Sequence, residues 1–84
     1  MEAVSRYVRA PIVMVTVKRR PSRFRWKDVW YDVVLIEDFW REVGAWWDGE
    51  LEKDVFIVVA SDNGFFEIFH ERLTGGWLLN RVMD

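Results

Sequence analysis

Apolar runs of strand length, bounded by turn residues, recur along this 84-residue chain, and one of them alternates strictly with the two-residue period of a β-strand. Residues 12–18 (IVMVTVK) predict a first strand, ended by Arg19-Arg20-Pro21, because proline cannot donate to a ladder and marks a turn or an edge. Residues 23–27 alternate strictly, with Phe24 and Trp26 on one face and Arg23, Arg25 and Lys27 on the other. A tight turn near Lys27-Asp28 leads into a third strand over residues 30–37. There Tyr31, Val33 and Leu35 share one face, and Trp30, Asp32, Val34 and Ile36 the opposite one. Residues 55–61 and 65–70 flank Asp62-Asn63-Gly64, the strongest hairpin signal in the chain, since Asn-Gly supplies the positive φ angles that a tight turn needs. Gly75-Gly76 turns the chain again before a last strand over residues 77–83. Residues 38–47 leave two readings open: an extension of the third strand through a bend, or a further strand with Gly44 as a bulge. A helix fits that stretch poorly, and residues 48–53 read as a polar, acidic loop.

Six or seven short strands joined by loops too short for a crossover helix define an all-β fold. The expected form is a small antiparallel meander, closed as a partly open barrel of the SH3-like or OB-like kind. Composition agrees, since Val and Ile number 17 against 9 for Ala and Leu, and β-branched side chains suit a pleated surface. The length allows one domain over residues 1–84, with residues 1–10 read as a flexible N-terminal arm. A fold this small hides only about 60% of the surface of its unfolded chain. Six Trp, six Phe and two Tyr offset that, each burying roughly 150–250 Å². Several strands are nevertheless apolar on both faces. Val55, Ile57 and Val59 oppose Phe56, Val58 and Ala60, so the second face is expected either to pack inside a strongly coiled barrel or to be covered by another chain, a homodimer being the simplest case.

Chemistry is sparse. His70 is the one histidine and there is no cysteine, and strand spacing does not bring Glu67, His70 and Glu71 together as metal ligands. Ser5, Ser22 and Ser61 lack a nucleophile elbow or an oxyanion loop, and no glycine-rich phosphate motif occurs. The expectation is a protein that is not an enzyme, with no catalytic residues, metal, cofactor or small-molecule substrate. The apolar run over residues 10–17 is broken by Pro11 and Thr16 and reads as a strand, and nothing approaches the roughly 20 apolar residues of a membrane-crossing helix. A cytoplasmic location without membrane contact is expected.

The net charge of −2 conceals a strong polarity: residues 1–27 hold eight basic residues and one acid, and residues 28–84 hold four and thirteen. Lys18, Arg19, Arg20, Arg23, Arg25 and Lys27 carry half the positive charge within ten residues. Such a row suits a phosphate backbone, with nearby aromatics stacking on bases, although an acidic chain is an unusual nucleic-acid binder. Trp40, Trp46 and Trp47, beside the acidic loop, form the other candidate, a protein-binding surface of aromatics ringed by charge.

The succession Arg20-Pro21, Phe24-Arg25-Trp26, Trp30-Tyr31-Asp32-Val33, Trp40-Arg41, Trp46-Trp47-Asp48-Gly49-Glu50, Phe56, Glu67, Trp77-Leu78-Leu79 and Arg81-Val82-Met83-Asp84 resembles an uncharacterised family of small bacterial domains. Its members occur free-standing and at the C-terminus of Y-family DNA polymerase-like mutagenesis proteins. The likeness runs from about Pro21 to Asp84. It brings no catalytic residues and implies a neighbourhood, DNA damage tolerance. Taken together, the sequence favours a non-catalytic module that binds a protein partner or its own copy through Trp40, Trp46 and Trp47. Direct binding of single-stranded nucleic acid through residues 18–27 is the alternative.

Overall fold

Seven antiparallel strands build the computed structural model, which describes residues 5–44 and 52–83. They are β1 (Ser5–Pro11), β2 (Val13–Val17), β3 (Arg20–Trp26), β4 (Val29–Glu42), β5 (Lys53–Ala60), β6 (Phe65–Glu71) and β7 (Trp77–Met83). They form one sheet in the order β1-β7-β6-β5-β4-β3-β2. The two edge strands, β1 and β2, are separated in the chain by Ile12 alone. The sheet must therefore curl until its edges meet at that residue, where the Ile12 N–H donates to the Trp77 carbonyl at 3.1 Å. The result is a curled half-barrel with no helix among the described residues, as the sequence pattern predicts.

Three features differ from the sequence reading, each for a local reason. Residues 5–11 are a strand, not an arm: β1 pairs with β7 from Ser5–Met83 to Pro11–Leu78, and its register slips where Arg9 takes φ 52°. That slip hides the alternation that would have disclosed it. The first turn falls at Lys18-Arg19, with φ of 51° and 66°, so that Arg20 and Pro21 already belong to β3. Pro21, opposite Thr16, is tolerated because it adjoins the bulge at Ser22 and lies before Arg23, where the pairing of β3 with β4 begins, so β4 asks no ladder bond of it.

The third difference is the inward phase of β4, whose extension past residue 37 is one of the two readings that the sequence leaves open. The first residues of β4 pair with β3 and the rest pair with β5, out to Glu42 opposite Lys53, so residues 38–42 extend the third strand through bends. Val34 and Glu37 are extra residues in the pairing with β5. Each bulge shifts the inward phase by one, so Ile36 follows Val33 into the core and Leu35, expected beside Val33, is left 52% exposed.

The core comprises Phe24, Phe56, Val58, Ala60, Phe66, Ile68 and Leu79, with Met14, Tyr31, Val33 and Ile36 among the side chains packed around it. Phe24 stacks on Tyr31 at 5.0 Å and meets Phe66 edge-on at 5.2 Å, geometries that suit the ring quadrupoles. On the opposite face of β5, Val55 and Ile57 are buried within a single chain. Val59, on that same face, is half-buried, so most of the second face of this strand is hidden within one chain.

Candidate functional site

Past its Phe24 end the half-barrel opens into a groove of about 670 Å³ between the tip of the β2–β3 hairpin and the inner face of β4 to β7. The register explains which side chains meet there. Arg41 on β4 pairs with Asp54 on β5, Asp54 with His70 on β6, and His70 with Trp77 on β7, so four strands contribute one continuous row. The neighbouring row contributes Phe39 and Phe56.

These residues form an aromatic floor. Phe39 lies 4.8 Å from Phe56, Phe56 lies 5.7 Å from Trp77, and His70 stacks on Trp77 at 4.1 Å with an interplanar angle of 11°. Phe39 remains 49% exposed, a large apolar surface left in water. The rim is basic: among the described residues, Lys18, Arg19, Arg20, Arg41 and Arg72 line the groove against a single acid, Asp54.

Asp54 is buried and engages two of those arginines. Arg41 Nε donates to its Oδ1 at 2.8 Å, and Arg72 Nη1 reaches its Oδ2 at 3.4 Å. Arg72 also pairs through Nε with Glu52 at 3.3 Å. The hydrogen bond to Asp54 raises the Arg41 pKa from its already high ordinary value, which keeps that guanidinium charged. Lys18, Arg19 and Arg20 make no ion pair with an acid among the described residues. Two of them occupy the left-handed region of a two-residue hairpin loop, a conformation that costs a non-glycine residue about 1–2 kcal/mol. The hairpin thus holds cations without an ion pair among the described residues, two of them on strained backbone, opposite an aromatic floor.

The basic row of the sequence therefore splits. Lys18, Arg19 and Arg20 reach the groove, whereas Arg23, Arg25 and Lys27 do not. Arg23 lies over Trp30 at 4.5 Å and pairs with Asp32 at 3.9 Å, Arg25 pairs with Asp28, and Lys27 lies over Trp26 at 4.9 Å. Those are the ordinary uses of charge on an exposed sheet face. Trp40 sits on the outer face of β4, opposite the groove. It is half-buried, and its indole N–H donates to Glu42 Oε2 at 2.9 Å. Trp46 and Trp47 lie outside the described residues.

Sequence reasoning missed Phe39, Arg41, Asp54, Phe56, His70, Arg72 and Trp77. A signal existed in Asp54, which shares the phase of Phe56, Val58 and Ala60 and so predicts a carboxylate on the inward face. A second buried acid, Glu67, lies on the outer face and accepts from Asn80 Nδ2 at 2.6 Å and Arg81 Nη2 at 3.1 Å. A bulge at Asn80 sets both donors opposite it, a structural network that leaves Arg81 Nε buried without a partner among the described residues. No group of three or more potential metal ligands occurs among the described residues.

Fold and groove together define a small all-β domain, a single-sheet half-barrel with a basic, aromatic-floored mouth. The chain belongs to the family described as a domain of unknown function, DUF6504, whose model matches residues 1–84. That match includes the residues before Pro21 that the resemblance in sequence did not reach. No curated protein and no solved structure matches the chain.

Proposed function

We propose that this domain is a non-catalytic binder of single-stranded nucleic acid and that the groove is its binding surface. The carrying observation is the hairpin tip, where Lys18, Arg19 and Arg20 stand without acidic partners among the described residues and line the same groove as Phe39, Phe56, His70 and Trp77. Cations at a rim neutralise phosphates, and exposed rings at a floor accept bases of any sequence, because every base has a π-face. The overall charge of −2 does not oppose this, since attraction depends on the local field of the groove, where five basic residues face one acid among the described residues. The resemblance to domains appended to Y-family polymerase-like proteins supports a cytoplasmic role in DNA damage tolerance, where single strands are exposed. Trp40 supports a protein-binding surface less well, because its N–H is already committed to Glu42.

Fluorescence anisotropy with a labelled oligothymidylate of about 15 nucleotides tests the reading. Binding is expected at about 50 mM salt and should weaken log-linearly as salt rises. Joint Lys18→Ala, Arg19→Ala and Arg20→Ala substitution should lower affinity at least tenfold, on the order of 1.4 kcal/mol. No binding at low salt, or an equal loss from Arg23→Ala with Arg25→Ala, would overturn it.

A further inference from the structure

A buried carboxylate is a poor component for an anion-binding groove, since it repels the ligand that the surrounding cations attract. Asp54 nevertheless lies in the inward row, 8% exposed, with an arginine on each of its oxygens. Two guanidinium groups repel each other, and without an acid between them each gains by swinging into solvent. With Asp54 between them both are held at the groove at once.

The manner of holding matters. Arg41 contacts Asp54 through Nε, at 2.8 Å, and this side chain remains 48% exposed. A guanidinium has two donor edges that match an anion bidentately, and engagement at Nε leaves the Nη1/Nη2 edge available. Arg72 is tethered twice, by Asp54 and by Glu52, so its position too is fixed before any ligand arrives. Ordering long side chains beforehand removes a cost that binding would otherwise carry.

We infer that Arg41, with Arg72 beside it, forms a phosphodiester-binding subsite of the groove, and that Asp54 is the positioning residue that aligns the pair. This rests on the groove being the nucleic-acid surface. It carries a sign that simple electrostatics does not: removing the negative charge of Asp54 should weaken anion binding.

The test compares the full chain with Asp54→Asn and Arg41→Lys, using labelled oligothymidylate by anisotropy and inorganic pyrophosphate by titration calorimetry, with near-ultraviolet circular dichroism as the check of folding. Asp54→Asn should bind the oligonucleotide about tenfold more weakly although its groove is more positive. Arg41→Lys, which keeps the charge on an exposed side chain and loses the planar fork, should lose several-fold with the salt dependence nearly unchanged. A folded Asp54→Asn that binds as well as or better than the parent overturns the inference. If that variant does not fold, Arg41→Lys decides, and parental affinity in it overturns the inference equally. Should the parent bind pyrophosphate and not the oligonucleotide, with both variants weakened, the nucleic-acid reading falls and the phosphate subsite stands. Binding of neither probe removes both.

Discussion

Phe24 carries more of this fold than any charged residue does. Fully buried, it bridges the β2–β3–β4 half of the sheet to β6 through its contacts with Tyr31 and Phe66. Phe24→Ala should cost about 3–5 kcal/mol, a large share of the 5–15 kcal/mol typical of a domain; urea denaturation followed by tryptophan fluorescence measures it. Gly64 illustrates a different constraint. The Asn63-Gly64 pair does mark the β5–β6 hairpin, but it is Asn63 that takes the positive φ, 67°. Gly64 is required because a Cβ there would lie 2.9 Å from Asp62 Oδ1 and 3.0 Å from the buried Phe66 ring. Gly64→Ala should therefore destabilise by about 1–3 kcal/mol through overpacking, read as a lowered urea midpoint. The dipeptide was legible in the sequence; its reason, a neighbour three-dimensionally adjacent, was not.

At the scale of elements, two hairpins of the same kind invite a paired experiment. Lys18-Arg19 and Lys27-Asp28 both occupy two-residue loops with positive φ at both positions, where Asn-Gly is the low-strain choice. Replacing either pair by Asn-Gly should stabilise the domain by about 1 kcal/mol. Only the change at 18–19 should weaken oligonucleotide binding, since Lys27 and Asp28 lie away from the groove. Thermal melts and anisotropy on the two variants separate the effects, and equal binding by both would show that the tip cations are idle. The elements themselves were readable where alternation is strict, as over residues 23–26 of β3, or where an apolar run is bounded by turn residues, as in β5, β6 and β7. They were misread at the bulges beside Arg9, Ser22, Val34 and Glu37, because a bulge is a change of phase that a period-two pattern cannot represent.

For the molecule as a whole, closure depends on β1. Deleting residues 1–10 would remove that strand from β7, expose a row of unpaired backbone groups and take Val8 from the core. A loss of about 2–4 kcal/mol is expected, with concentration-dependent association visible in light scattering. An unchanged melting temperature would restore the reading of this segment as an arm. The groove was the least legible feature. Its row runs from Arg41 through Asp54 and His70 to Trp77, residues that only the register of four strands unites. Charge arithmetic located its hairpin tip and missed the opposite wall, because Arg41 and Arg72 lie in the acidic part of the chain.

The bulges of β4 have one more consequence. Val34 and Glu37 are surplus to the pairing, so a chain shortened by either residue keeps every hydrogen-bonded partner on both sides of the deletion. What it loses is the local bend. Length at these positions thus tunes curvature independently of alignment, and a relative one residue shorter there would share the same ladder and core while presenting a flatter sheet and a wider mouth.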